Sequence, residues 1–457
     1  MLAPINKIPR EILALIPDFL DTRDRDEDVI ALTHVCRAWR EAFVSRSSLW
    51  SDFDCLDEEK TQVYFERSKS SPINLSLDLS RGASFSNPSF QIIPHATGRL
   101  KSLFVKGPLE DVEVIIPRLS HPAPLLEHLS ILSHYERKPY RYLPLTSALF
   151  DGDLSSLRTL HLELVHTELP WRNMVNLTSF TLRRTPPGAV SAGQLLDFLE
   201  SAPYLEEVEL LFATPTTGVQ GGRLVSLGCL KSMDITDDGP PSPLLDHLLI
   251  PAGAKLEIQA NLTTPLIGGC LPRSLDNLKN FSDFTTIELY PRMYYSVMKF
   301  SGPNGQVNIA LRSPVNNPTE LTLGSLAEFD TSKTERLEID GGHLLSREHL
   351  YQALLPMKDL RTLTLTECGS PHILIHDLQP AKILLGPMVC PKLEEITLVL
   401  RFEETFEITS VVEMAAARAY RGGKLTTVRI VEGCRTANLD LSELRKHVWN
   451  VEHDYMD

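Results

Sequence analysis

Positive charge is scarce in this 457-residue chain, in which 45 lysines and arginines stand against 59 aspartates and glutamates. The formal charge of −14 repels nucleic acid and anionic membranes at long range, so we expect no nucleic-acid and no membrane partner. Long hydrophobic runs are also missing: no stretch of about 18 apolar residues could span a bilayer, and residues 1–11 lack the apolar core of a signal peptide. We therefore expect a soluble chain whose partners are proteins.

Cysteine is sparse and scattered. The seven cysteines are odd in number and include no C-x-x-C pair. This usage is typical of a reducing compartment. We expect free thiols, and a protein that is cytoplasmic, nuclear or both.

The common motifs of catalysis and metal binding are absent too. The sequence contains no G-x-x-x-x-G-K-[ST], G-x-G-x-x-G, G-x-S-x-G or H-E-x-x-H. His372 and His376 have the spacing of two ligands on one helix turn, but Pro371 and the apolar residues between them favour a strand or loop, and a third ligand is not identifiable. We expect no enzyme, no catalytic residue, no cofactor and no metal. A catalytic domain would instead need a deep pocket, around residues 290–334.

Large apolar side chains are abundant in the first fifty residues, which are too few to bury them alone. Their three- and four-residue spacing predicts one helix from Pro9 to about Ile16, where Pro17 ends or kinks it. A charged connection comes next, and a second helix is predicted from about Asp26 to Phe43. On that helix one apolar stripe would contain Val29, Leu32, Cys36 and Trp39.

Three clusters in this segment carry a resemblance. The order Ile8-Pro9-x-Glu11-Ile12-Leu13, then Val35-Cys36-x-x-Trp39-Arg40, then Leu49-Trp50 resembles the F-box family over about residues 5–53. That family is a three-helix module that docks on the Skp-type adaptor of cullin-RING ubiquitin ligases. Two departures are Ile8, where the family usually has leucine, and Pro17 inside the first helix.

The resemblance implies a set of residues that pack within the module or against the adaptor. We predict as adaptor-binding Ile8, Pro9, Ile12, Leu13, Ile16, Val35, Cys36, Trp39, Leu49 and Trp50. The sequence does not divide these residues between the two roles. The alternative is a plain three-helix cap that covers the end of the next domain.

The rest of the chain shows a different spacing of apolar residues. The pattern L-x-x-φ-x-φ, with φ apolar, recurs eleven times, and leucine-rich repeats have this signature. The leading residues are Leu100, Leu126, Leu157, Leu177, Leu205, Leu230, Leu245, Phe284, Leu360, Leu393 and Leu425. Apolar alternation makes a short strand with one buried face, and stacked neighbours supply the core. Helix candidates at 192–201, 347–355 and 408–420 lie between strands.

The predicted fold class is therefore α/β: a small all-α three-helix F-box followed by a curved leucine-rich-repeat solenoid with parallel strands on its concave face. The predicted domains are 1–55 for the helical module, 56–72 for a connecting helix or linker, and 73–457 for irregular repeats. Residues 290–334 would be degenerate repeats or a protruding loop. The alternative is a conventional α/β domain with helices on both faces of its sheet.

Residues between the buried strand positions would point to the concave face. Acidic and hydroxyl side chains dominate there, which favours a polar or basic partner, although exposed strand faces are ordinarily polar. The substrate-binding candidates are His161, Glu163, Arg183, Glu207, Glu209, Asp234, Glu288, Tyr290, Glu395 and Arg429.

The function expected from these patterns is that of a substrate-recruiting adaptor subunit of an SCF-type ubiquitin ligase. Its helices would bind the Skp-type adaptor, and through it a cullin-RING scaffold, while the repeats hold a target protein. The alternative is a leucine-rich-repeat scaffold that binds proteins without any link to ubiquitination.

Overall fold

The computed structural model describes residues 8–19, 25–55, 57–81, 88–134, 141–146, 149–167, 174–186, 188–215, 222–239, 241–261, 270–292, 295–312, 323–326, 329–341, 347–366, 378, 388–400, 408–432 and 440–455. The chain forms two compact units, Met1–Glu209 and Leu210–Asp457. Each unit combines helices with strands that are mostly parallel.

The described segments contain eleven α-helices. They are α1 (Arg10–Leu15), α2 (Arg25–His34), α3 (Arg37–Ser45), α4 (Glu58–Ser68), α5 (Ile93–Ala96), α6 (Leu109–Ile115), α7 (Ala192–Ser201), α8 (Ser242–Leu245), α9 (Arg347–Leu354), α10 (Ile408–Tyr420) and α11 (Leu444–His447). The strands of the first unit are β1 (Asp52–Asp54), β2 (Ile73–Asp78), β3 (Leu100–Pro108), β4 (His128–His134), β5 (Leu143–Leu145), β6 (Thr159–Glu163), β7 (Val165–Thr167) and β8 (Ser179–Arg183). The boundary between the units falls within β9 (Glu207–Leu211). The second unit contains β10 (Val225–Ser226), β11 (Ser232–Asp237), β12 (Leu248–Leu249), β13 (Lys255–Asn261), β14 (Thr286–Pro291), β15 (Tyr295–Gly302), β16 (Gly305–Arg312), β17 (Arg336–Asp340), β18 (Thr362–Thr366), β19 (Glu395–Leu400), β20 (Thr427–Glu432) and β21 (Asn450–Tyr455).

The N-terminal helices differ from the prediction in one respect. The first helix passes into a 3₁₀ turn at Ile16–Phe19, as Pro17 predicts. The prediction of a single helix from about Asp26 to Phe43 is wrong, because the backbone of Cys36 is extended and separates α2 from α3. The guanidinium of Arg40 donates to the carbonyl oxygen of Thr33 at 3.0 Å. That oxygen would accept a backbone N–H if the helix continued.

The parallel strands of the first unit follow the recurring leucine. Strands β1, β2, β3, β4, β6 and β8 pair in that order, all in parallel. The leading leucines before β4, β6 and β8 are buried. Each of them donates its backbone N–H to the residue three positions earlier, as Leu126 does to Ala123 at 3.0 Å. The leading leucine therefore closes the turn and enters the core in one step.

The second unit keeps this arrangement with an insertion. Strands β14, β17, β18, β19, β20 and β21 are parallel neighbours, and β11 is parallel to β13. Between β13 and β14 lies the antiparallel hairpin of β15 and β16. Residues 295–312 are therefore full strands of the sheet, which corrects the expectation of degenerate repeats or a protruding loop.

One predicted repeat strand is misplaced. The pattern beginning at Leu245 falls on the end of α8 and the two-residue strand β12, which pairs with β10 in a separate small sheet. The strand that continues the main sheet is β13, seven residues further on. The predicted helices at 192–201, 347–355 and 408–420 are present as α7, α9 and α10.

The turn of the inserted hairpin is wedged against a neighbouring loop. A Cβ atom on Gly302 would lie 2.7 Å from the carbonyl oxygen of Asp283 and 2.8 Å from the Cα of Phe284. Asn304 holds the same loop, since its amide donates to the Ser282 carbonyl at 3.3 Å. The close approach of two backbones explains why glycine is needed at 302.

Gly302→Ala is expected to destabilise the second unit by about 1–3 kcal/mol, because the contacting atoms belong to backbone that cannot yield cheaply. Urea unfolding followed by hydrogen exchange of β14–β16 measures the change. Gly228→Ala is the matched control, because a Cβ atom there meets nothing within 4 Å. Equal stability of the two variants would contradict the proposed steric contact between residue 302 and the backbone of Asp283 and Phe284.

Candidate functional site

The N-terminal helices bury one set of their apolar side chains within the chain itself. Leu13, Val29, Trp39 and Phe43 are all buried. The rings of Trp39 and Phe43 pack edge to face, with centroids 5.6 Å apart. These residues form the core that holds the three helices together.

A second set of apolar side chains on the same helices is exposed. Ile12, Leu15 and Phe19 are 52%, 51% and 86% exposed, and their spacing of three and four residues places them on one stripe of α1 and the following turn. Val35, at the break between α2 and α3, is 45% exposed, and Ile30 is exposed as well. Burial of each such side chain is worth about 1.5–3 kcal/mol. We call Ile12, Leu15 and Phe19 the exposed apolar stripe.

The structure thus divides the ten predicted adaptor-binding residues. Pro9, Ile12 and Val35 are exposed, and Ile8, Ile16 and Cys36 are half-buried. Those buried inside the chain are Leu13, Trp39, Leu49 and Trp50. Leu15, Phe19 and Ile30 were not among the ten, although the helical spacing already placed Leu15 and Phe19 in line with Ile12.

Trp50 joins the helical segment to helix α4. Its indole N–H donates to the carbonyl oxygen of Phe43 at 3.0 Å, and its ring meets Tyr64 of α4 with centroids 5.0 Å apart. The guanidinium of Arg67 lies 4.3 Å from the centre of the indole ring. Burial raises the pKa of the nearby Cys55 thiol to about 12, so this thiol is neutral at pH 7 and acts as packing.

Backbone pairing continues directly from Trp50 into the sheet. Strand β1 pairs in parallel with β2, and the N–H of Asn74 donates to the Ser51 carbonyl at 2.7 Å. Arg99, just before β3, donates to the Ser71 carbonyl and the Ser68 hydroxyl. The segment 56–72, predicted to connect the domains, contains α4 and is tied to both sides by these contacts.

A comparison with protein families decides the nature of this helical segment. Residues 5–56 match the F-box-like family. The match includes α1–α3, Trp50 and strand β1, so the F-box-like domain ends inside the sheet. No curated protein matches the chain significantly.

The predicted substrate-binding residues of the first unit lie on one face of its sheet, where most of them have a hydrogen-bond partner on the same sheet or next to it. Arg183 donates to both carboxylate oxygens of Glu209, at 2.8 and 3.0 Å. Glu163 accepts from Arg184 at 3.1 Å, and Glu207 accepts from the Ser179 hydroxyl at 3.2 Å. Two of the three acidic residues expected there, Glu163 and Glu209, are therefore paired with arginines.

The predicted residues of the second unit occupy equivalent positions on its sheet. Tyr290 donates to Glu288 at 2.7 Å, and the ammonium of Lys299, from the inserted hairpin, lies 3.5 Å from the same carboxylate. Desolvation and the hydrogen bond to Glu288 raise the pKa of the Tyr290 phenol above its usual range. Arg429 pairs with Asp454 at 2.8 Å. Asp234 accepts from the Thr236 hydroxyl at 3.3 Å, and Glu395 begins β19.

The fold changes the ionisation of His161, one of the predicted substrate-binding residues. It is half-buried on β6, and its Nε2 has no hydrogen-bond partner in the part of the chain described. Desolvation, followed by the charge of Arg183, lowers the pKa of this imidazole below 6.5. The unfolded chain therefore takes up a proton at this site before the folded chain does.

His161→Gln is expected to flatten the pH dependence of stability. As pH falls from 7 through 6.5, the unfolded state is protonated first, so the wild type loses stability while the variant loses less. Urea midpoints at pH 7.5, 6.5 and 5.5 measure this, in steps chosen around the ordinary histidine pKa of about 6.5. His121→Gln, at an exposed histidine, is the control. A wild-type slope in His161→Gln would refute the assignment.

The histidine pair considered as metal ligands, His372 and His376, lies outside the described residues. Among the residues that are described, no group of three or more His, Cys, Asp or Glu could hold a metal ion. No helix in the described segments is long and apolar enough to cross a membrane.

Proposed function

We propose that this protein is a substrate-recruiting subunit of an SCF-type ubiquitin ligase. The F-box-like domain at residues 5–56 supports this proposal, since F-box domains generally bind Skp-type adaptors. The observation that carries it is the exposed apolar stripe, which leaves Ile12, Leu15 and Phe19 partly in solvent while Leu13, Val29, Trp39 and Phe43 are packed in the core. A stripe of this kind on a small helical domain is stabilised by covering it with a partner.

The partner on this stripe would be the Skp-type adaptor, and through it a cullin-RING scaffold. The buried pair of Trp39 and Phe43 would act indirectly, by holding the helices in the geometry that presents Ile12 and Val35. Docking would then depend on a few apolar anchors surrounded by less important contacts.

The sheet faces would hold the target protein, in what we propose is an irregular leucine-rich-repeat domain forming a curved solenoid. The recurrence of the leading leucine and the parallel order of β2, β3, β4, β6 and β8 support repeats over a doubly wound sheet, which has no need of that leucine. The polar side chains between the buried positions would contact the target.

The mechanism proposed is positioning, with no chemistry on this chain. A tethered target has a high effective concentration near the ubiquitin-conjugating enzyme carried by the same assembly. Bond formation would take place on other subunits, and this chain would contribute affinity and geometry.

Co-expression with a Skp-type adaptor tests the proposal. The full chain is expected to elute with the adaptor as a one-to-one complex in gel filtration, and to bring a cullin-RING scaffold into the complex when this is added. A full chain that is folded but elutes apart from the adaptor would refute the ligase role and favour a protein-binding scaffold. Deleting residues 1–55 is a poor test, because it also removes Trp50, which packs against Tyr64 of α4, and β1, which pairs with β2.

A further inference from the structure

We propose that a cavity in the second unit binds a segment of a partner protein that presents one large apolar side chain next to a basic residue. The cavity has a volume of about 380 Å³ and lies where the chain enters β14 and β17. We call it the phenylalanine cavity, after Phe281, Phe284 and Phe329 in its lining. This site is separate from the F-box-like domain, so the inference goes beyond the proposed function.

The floor of the phenylalanine cavity is apolar and consists of aromatic rings in contact with one another. The ring centroid of Phe281 lies 5.1 Å from that of Phe284 and 5.4 Å from that of Phe329. Phe300 of the inserted hairpin packs edge to face against Phe281 at 4.9 Å and fixes the group from below. A floor of interlocked rings needs no rearrangement to receive another ring or a long aliphatic side chain.

The rim of the cavity carries more acidic than basic side chains. Three carboxylates, of Asp276, Asp283 and Asp330, face two ammonium groups, of Lys279 and Lys333. Lys333 is already engaged, because it donates to Asp283. The net charge of these five rim groups is therefore −1, and a basic residue complements it better than an acidic one.

Two of the rim carboxylates lie outside the salt bridges of the described residues, although the charge of Lys333 also acts on Asp330. Asp276 and Asp330 form no salt bridge with any residue in the described ranges. The Ser332 N–H donates to Asp330 at 3.1 Å and holds its carboxylate in place, and the hydrogen bonds from Ser332 lower the pKa of that carboxyl. A fixed, ionised carboxylate beside an apolar floor matches a basic residue adjacent to an apolar one.

The size and openness of the site favour a protein segment as its occupant. Its volume lies near the lower end of pockets for small ligands, and its rim side chains are exposed. A side chain on an extended segment can enter at the end of the sheet where β14 and β17 begin, while its neighbours meet Asp276 and Asp330. Insertion of one anchoring side chain into such a recess is the usual source of affinity in peptide recognition.

Fluorescence anisotropy with the full chain tests the proposal. The probes are three fluorescein-labelled peptides with identical Gly-Ser flanks and the cores Arg-Phe-Arg, Arg-Ala-Arg and Glu-Phe-Glu, at an ionic strength of about 0.15 M. The Arg-Phe-Arg peptide is expected to bind at least about tenfold more tightly than either of the others. The comparison with Arg-Ala-Arg measures the apolar floor, and that with Glu-Phe-Glu measures the rim.

The double variant Asp276→Lys with Asp330→Lys is expected to reverse the preference, so that Glu-Phe-Glu binds best. The matched control is Asp440→Lys with Glu443→Lys, since Asp440 accepts from the Ser442 N–H just as Asp330 accepts from Ser332. This control should keep the wild-type preference. Absence of Arg-Phe-Arg binding, equal binding of the three peptides, or insensitivity to the cavity variant would each overturn the proposal. Adaptor binding is measured separately, so these results leave the ligase role to its own test.

Discussion

Replacing Ile12 and Leu15 together by glutamate is expected to weaken binding of the Skp-type adaptor by about 100-fold or more. Both side chains lie on the exposed apolar stripe, half in solvent, so the adaptor would have to bury two carboxylates where it now buries two apolar groups. Loss of an anchor costs about 2 kcal/mol or more, and each 1.4 kcal/mol is about tenfold in affinity. Calorimetry with the purified adaptor measures the change.

The folded state of this variant should be intact, because exposed positions tolerate substitution within about 0.5 kcal/mol. Thermal unfolding of the variant is therefore part of the experiment. Leu125→Glu serves as the matched control, since Leu125 is 46% exposed and lies on a loop before β4, outside the F-box-like domain. Wild-type adaptor affinity in the double variant would show that the stripe is not the docking surface.

Trp50→Ala is expected to have the largest effect on stability, about 3–5 kcal/mol. The substitution leaves a cavity beside Tyr64 and removes the hydrogen bond to the Phe43 carbonyl. It also removes the cation–π contact between the Arg67 guanidinium and the indole ring. Hydrogen exchange of α3, α4 and β1 in urea measures the loss within the first unit. Adaptor affinity should also fall, because α3 loses its attachment.

Trp449→Ala provides a control of the same residue type. Trp449 is 75% exposed and contacts the Lys424 ammonium 4.0 Å from its ring centre. Its removal should cost less than about 1 kcal/mol, which is the range for an exposed cation–π contact. Similar losses at Trp50 and Trp449 would mean that the indole of Trp50 does not hold the F-box-like domain to helix α4.

Much of the strand arrangement could be predicted from the sequence because a leucine recurs before each of several strands. Leu126 and its equivalents close a turn and enter the core, and this leaves a visible period. The hairpin of β15 and β16 has no such leucine, since antiparallel neighbours need only a tight turn. It alternates like any strand, and nothing in its sequence shows that it enters the sheet between β13 and β14.

The candidate docking site was predicted as a set of residues but not as a surface. Ile12 and Leu13 are adjacent in the sequence and point in different directions from the helix, yet the sequence does not tell which of them faces the core. The structure buries Leu13 and exposes Ile12. The break at Cys36 was missed for a related reason, because Val29, Leu32, Cys36 and Trp39 keep a helical period across it, while the bond from Arg40 to Thr33 that accompanies the break is tertiary.

Strand β1 belongs both to the F-box-like domain and to the first sheet. The F-box-like domain is therefore joined to the first sheet by strand pairing, and in the proposed ligase the strands of the first unit would hold a target at set distances from the adaptor. Strands are spaced by about 4.8 Å, so a target bound at β8 would lie about 19 Å further along the sheet than one bound at β2. Which strand a target touches would then decide which of its lysines comes within range of the ubiquitin donor.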